Sequence, residues 1–468
     1  MDPEVFNITT NHTPNVTAEA IARPVNETET ENRELVELNH VRVQDRSIRV
    51  HDVSNSTAVL EAPDHADESF PDGGLRSWLV VFGSFFLLMG SYGLMNTVGV
   101  MQSYIEAHQL STYSTTAVGW IFSVFIFVTL LLGVFVGPLF DSHGPKLLVY
   151  AGSAITVLSL FLFAECTKYW QFFLCFGILG GIGAALVSTV AMSCVPHWFH
   201  VRAGMAMGTA LAGSGLGGVV FPFMLRAGFS NLGFKWTIRI LAIVVGACCG
   251  LGSFMVRTRL PKTFSKAVIN LKCFKDMRFT WLSAGAWCLE LEFFSLMGIY
   301  PTFIIAQGFS ADTSIYLLVI LNVSSLFGRL IAGRLGDRYG RLNTLMTIIV
   351  VGILCIFSIL YPFSHSLPAL YTFSCLYGLA SGSFISLAPV CIRQVSDVKE
   401  IGLRFGTCYS LVSFATLISI PIAGEILGKV GSKALVLWIG AVLVWTLGLF
   451  IMARWTCQEY RWKWLMKV

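Results

Sequence analysis

Charge is what this sequence has least of. Asp, Glu, Lys and Arg make up 13% of its 468 residues, about half the share found in an average soluble domain. With 55% hydrophobic residues and a mean hydropathy of +0.69, a chain this long has too little polar surface to cover a water-soluble core. A soluble globular enzyme is excluded on that ground. The net charge is +5, but the bases sit in short loops beside apolar runs rather than on one patch, which argues against nucleic acid as a partner. The twelve cysteines include no Cys-x-x-Cys pair, and most of them, Cys248 and Cys249 among them, fall inside apolar runs. That pattern offers neither metal-ligand spacing nor a disulfide framework. Catalytic triads, phosphate-cradling loops and cofactor fingerprints are also missing, so no metal and no cofactor is expected.

What is present is a series of apolar runs of roughly the 20 residues that a helix needs to cross a bilayer. They fall at about 78–100, 117–139, 147–164, 170–194, 204–225 and 236–256, then at about 280–305, 315–335, 344–363, 368–391, 405–427 and 435–454. The expected fold is all-α, a polytopic membrane protein of twelve transmembrane helices in two six-helix, pseudo-symmetric halves. An even number of spans puts both termini on one side. Lys and Arg crowd the loops that follow the even-numbered spans, with seven in the connector 257–279 alone, and are sparse in the other loops. By the positive-inside rule both termini are cytosolic. The expected parts are a cytosolic tail 1–76, a first half 77–256, a basic connector 257–279, a second half 280–454 and a C-terminal tail 455–468. The first tail is polar and carries five Asn-x-Ser/Thr sequons, at Asn7, Asn11, Asn15, Asn26 and Asn55, which a cytosolic address would leave unmodified. The plasma membrane is the expected location, with a vacuolar or other internal membrane as the alternative. The connector's bases suit anionic lipid headgroups.

The halves carry a shared signature. Gly137-x-x-x-Asp141-x-x-Gly144-x-Lys146 follows span 2, and Gly333-x-x-x-Asp337-Arg338-x-Gly340-Arg341 follows span 8. Its glycines permit a tight turn between two helices, and its acid can accept from helix N-terminal amides or pair with a base. Recurring at matching places, the turn reads as a latch that is made and broken as the halves move.

Polar side chains at membrane depth are the other clue, because they are costly there without a role. Arg329 lies inside span 8, and Glu290 and Glu292 lie near the middle of span 7. Residues two apart point about 200° away from each other on a helix, so the two glutamates do not share one cavity. Tyr92 and Asn96 fall on one face of span 1, and Asn322 lies two turns before Arg329 on span 8. Each is a candidate for a substrate hydrogen bond or for a bond to a neighbouring backbone. Glu290 and Glu292 are candidates for a proton site, since burial favours the neutral acid, or for a charge pair with Arg329.

The signature turns resemble those of the major facilitator superfamily. A narrower resemblance, to its monocarboxylate porter family and the fungal branch of it, rests on PDGGLRSWLVVFGSF from Pro71 to Phe85, GLMNTVGVMQ from Gly93 to Gln102, and the glycine-rich span 5 from Arg202 to Pro222. Span 5 lacks the Gly-Pro pair typical of drug-proton antiporters. The resemblance implies a transporter that alternates access between its two sides, with Arg329 engaging a substrate carboxylate through its planar fork. Animal relatives place an aspartate one turn before that arginine and a lysine deep in span 1. Here Ser325 and Asn96 stand at those places, which suits a substrate larger and less charged than lactate. The expected partners are a small organic anion or related fungal metabolite, protons and the lipid bilayer. Export of a secondary metabolite and non-transporting nutrient sensing are the alternatives.

Overall fold

The structure, a computed structural model, describes residues 73–199, 202–259, 269, 271–395, 401–458 and 460, and only the backbone of 141, 203, 337, 393 and 401–403. The sequon-bearing tail and most of the basic connector lie outside these residues. Among the described residues twelve helices are long and apolar enough to cross a membrane: α1 (Leu75–Ala107), α2 (Thr115–Phe140), α3 (Pro145–Glu165), α4 (Tyr169–His197), α5 (Gly204–Asn231), α6 (Gly233–Met255), α7 (Met277–Ala306), α8 (Ala311–Gly336), α9 (Arg341–Phe363), α10 (Leu367–Ile392), α11 (Arg404–Lys429) and α12 (Ser432–Cys457). Serine caps start two of them. Ser114 accepts from the Ala117 amide at 3.2 Å before α2, and Ser310 accepts from the Thr313 amide at 3.2 Å before α8, each satisfying an otherwise orphaned donor.

The duplicated turns have the same backbone. Gly144 (φ 83°) closes the helix of α2 and Gly340 (φ 97°) that of α8, in the left-handed region that only glycine enters freely. Each donates its amide back one turn, to Phe140 at 2.8 Å and to Gly336 at 3.0 Å. The next helix then starts at once, on Pro145 in one copy and Arg341 in the other.

Span 1 is longer than its apolar run and is broken. Its helix stops at Met95 and resumes at Val98, and the Thr97 hydroxyl donates to the Gly93 carbonyl at 2.7 Å, a local bond that competes with the helical ladder. The first segment packs on α4, α5 and α6, and the second on α2 and α7. Gln102, whose polarity ended the expected span, is fully buried there.

Contacts between the first six helices and the last six run along α5–α8, along α2–α11, and from the second segment of α1 to α7. The α5–α8 pair is antiparallel. It is closed from Gly204 beside Gly333 at the end carrying the turns to Arg226 beside Asp312 at the far end.

Candidate functional site

Glycine sets the spacing at the α5 seam. A Cβ on Gly217 would lie 2.7 Å from the Gly93 Cα of α1, and one on Gly218 would lie 2.8 Å from the Asn322 side chain and 3.0 Å from the Asn96 Cβ. Helix α5 therefore lies backbone-close to α1 on one side and to α8 on the other. Into this seam α8 places Arg329, which is 1% exposed. Its Nη1 donates to the Leu211 carbonyl at 2.6 Å and to the Ser214 hydroxyl, and its Nη2 to the Ser325 hydroxyl at 3.4 Å. Its Nε has no partner, and among the described residues no carboxylate pairs with it. A buried guanidinium held only by neutral acceptors keeps its charge uncompensated, which is costly. The alternative role considered for Glu290, a charge pair with Arg329, does not form in this arrangement.

Asn96 stands at the break in α1 and donates to the Ser214 carbonyl at 3.0 Å, so it binds the neighbouring backbone. Asn322 donates within its own helix, to the Leu318 carbonyl at 3.1 Å, and its Oδ1 is buried without a partner. Arg329, Asn96 and Asn322 thus converge on one stretch of α5, from Leu211 to Gly218. Ser214 links two of them and was not singled out in the sequence, where it reads as one more small residue in a glycine run.

Tyr92 turns elsewhere, although it lies one turn from Asn96. It faces Ser188 of α4 and stands within electrostatic reach of Glu290. Cys408 and Tyr409 of α11 reach the same carboxylate. Tyr92 and Glu290 are half-buried at mid-span, where exposure to lipid would be prohibitive for the acid, and Tyr409 is half-buried in the first part of α11. Glu292 points away from this group. It is fully buried, accepts from the Tyr377 hydroxyl of α10 at 2.6 Å through Oε1, and leaves Oε2 without a partner. The two glutamates serve different neighbours, as their spacing requires. Tyr409 and Tyr377 escaped the sequence reading because a tyrosine in an apolar run carries no sign of what it meets.

The two ends of the bundle differ. At the far end, among the described residues, three polar ties join the halves. Arg226 of α5 bonds Asp312 at 2.6 Å and the Tyr316 hydroxyl at 2.7 Å. Thr116 of α2 donates to Glu425 of α11 at 2.8 Å, and Glu425 pairs with Lys429 at 2.5 Å. Thr302 of α7 donates to Glu106 of α1 at 3.4 Å, beside Gln102. At the turn end a narrow pocket between α5, α8 and α10 leads to Arg329, and both charged residues in its lining, Arg329 and Arg341, are arginines.

The signature residues fall around that end. A Cβ on Gly137 would meet nothing, whereas one on Gly333 would lie 3.7 Å from the Gly204 carbonyl of the other half. Lys146 is exposed, and Arg338 lies over the Tyr339 ring at 5.4 Å. The side chains of Asp141 and Asp337 lie outside the described residues. Near the start of α7, burial tends to raise the Asp276 carboxyl. Hydrogen bonds from Arg278 and from Arg404 of α11 outweigh that and hold it below the usual carboxylate range.

Comparison with known proteins fits this architecture. A sequence profile of the Major Facilitator Superfamily matches residues 80–362 and 282–464. The chain belongs to that superfamily. It is thus a membrane transporter rather than an enzyme. It is 34% identical to the riboflavin transporter MCH5 of Saccharomyces cerevisiae over 84% of this chain and 81% of that one. It is 33% identical to the aspyridones efflux protein apdF of Emericella nidulans over 84% of this chain and 82% of that one. Among solved structures, a point mutant of the nucleoside transporter NupG superposes with a TM-score of 0.64 at 15% identity, covering 80% of this chain and 99% of that one. That likeness bears on the fold alone.

Proposed function

We propose that this superfamily member is a proton-coupled transporter of the monocarboxylate-porter-like branch, moving a small organic acid or related metabolite by alternating access. The observation that carries the reading is Arg329, buried across the seam between the halves with a free Nε and no counter-charge among the described residues. An anion arriving through the turn-end pocket would supply that charge and compete with the α5 backbone for the guanidinium. Substrate binding would in this way loosen the α5–α8 contact. Glu290 is the proposed proton site, since it is a half-buried carboxyl at mid-span within electrostatic reach of Tyr92 of one half and Tyr409 of the other. The turns at Gly137–Lys146 and Gly333–Arg341 are the proposed latches, and the turn end the proposed cytosolic side.

The test is flux. Purified protein in liposomes is offered a mixture of metabolites with and without a proton gradient, and the contents are read by mass spectrometry. Accumulation of organic acids only under the gradient, lost with Arg329→Lys, is expected; gradient-independent movement, or full activity of the variant, would overturn the assignment. Export is the second reading, supported by the efflux relative, and it uses the same groups with the gradient opposed.

A further inference from the structure

We infer that the space between Glu290, Tyr92 and Tyr409 is a subsite for a planar ring that carries a hydrogen-bond donor, so that the transported acid is aromatic or heteroaromatic rather than lactate-sized. The inference rests on the transport reading above and names the substrate class of that site.

Glu290 is the starting point. A carboxyl deep in a bundle normally finds a protein donor, as Glu292 finds Tyr377, because an unmatched buried acceptor is costly. Among the described residues no hydrogen bond reaches Glu290. Nor does a base stand against it: the groups within electrostatic reach are two phenols and a thiol, Tyr92, Tyr409 and Cys408. The acceptor therefore has no protein donor among the described residues, and although it lies at mid-span its side chain is only half-buried.

The surroundings define the shape of that donor's carrier. Trp287 precedes Glu290 by one helical turn and is half-buried against the same small cluster as Tyr409 and Leu130 of α2. Phe405 stacks on Tyr409 with ring centroids 4.4 Å apart. Such aromatic surfaces favour a flat partner by stacking or edge contact. A lactate-sized anion has no face to lay against them. A ring with an N–H or O–H at its edge fills the space and donates to the carboxylate, while a carboxylate elsewhere on the molecule remains for Arg329. Phenols from α1 and α11, one in each half, then border the same ligand.

A matched pair of probes tests this by calorimetry on the full-length protein in nanodiscs. 2-Oxo-1,2-dihydroquinoline-4-carboxylate carries one ring N–H, and its N-methyl derivative carries none. The N–H probe should bind about tenfold more tightly, the scale of one net hydrogen bond, and lactate should bind more weakly than either. In Glu290→Ala the two quinolines should converge. Equal binding of the pair to the natural protein, lactate binding as tight as that of the N–H probe, or no heat from either quinoline overturns the subsite. The natural protein's preference decides the matter alone if the variant does not fold. Flux is scored separately. Movement of lactate-sized acids without quinoline binding overturns the subsite and leaves transport standing. Quinoline binding with the N–H preference but no flux of any acid leaves the subsite and overturns the transport reading.

Discussion

Arg329 and Glu290 lie on the contacting helices α8 and α7, and the bundle treats them in opposite ways. Arg329 is shut into a glycine-lined seam and spends its donors on the backbone and hydroxyls of α5 and its own helix. Glu290 is left half-open among aromatic side chains with no donor of its own. The contrast follows from what packs against each. Small residues on α5 bring backbone oxygens within reach of a cation, while the phenols and thiol nearest Glu290 leave its carboxyl without a hydrogen bond among the described residues. A cation that already has partners must exchange them to bind anything, whereas an acid without partners need not. The first is suited to coupling binding to movement, and the second to holding a proton or a ring.

The strongest test of that contrast is Arg329→Lys. It keeps the charge and loses the fork, and an acid-transport rate about 100-fold lower is expected from the loss of paired charge-assisted bonds, with surface expression unchanged. Glu290→Gln should come next. Counterflow of substrate persists, but accumulation driven by a proton gradient drops to the level without one, read as the inside-to-outside ratio in liposomes. Gly218→Ala acts on the seam rather than the charge. Its methyl would press on Asn322 and Asn96, and the separation needed should slow the cycle by about tenfold, the cost of a modest steric misfit. Cysteines introduced along α8 should become more reactive in the same variant. Asp312→Asn is expected to have the smallest effect. It weakens an exposed tie at the far end, where such pairs contribute little, so a rate change of no more than a few-fold should accompany greater labelling from that side. An effect larger than that of Arg329→Lys would reverse the comparison.

Much of the fold was legible because it follows from composition. Twelve runs of apolar residues require twelve helices, and Gly144 and Gly340 require the same left-handed turn wherever they recur. The ends of α1 were less so. Gln102 and Glu106 look like loop residues until α7 and α2 cover them, and the break at Asn96 and Thr97 depends on a hydroxyl finding the Gly93 carbonyl. In the site, the sequence pointed to Arg329, Glu290, Asn96 and Asn322 through the cost of polarity at depth. It did not reveal that Arg329 would meet Leu211 and Ser214 rather than Glu290, since that depends on which helix lies alongside. Nor did it reveal Tyr409, which becomes informative only once Glu290 is beside it.

The break in α1 gives one helix two sets of neighbours. Its first segment packs within its own half, on α4, α5 and α6, while its second lies against α2 of that half and α7 of the other. Asn96, which sits at that break, is tied to the Ser214 carbonyl, and the Ser214 hydroxyl holds Arg329. One residue of α5 therefore anchors both the interruption in α1 and the buried cation of α8.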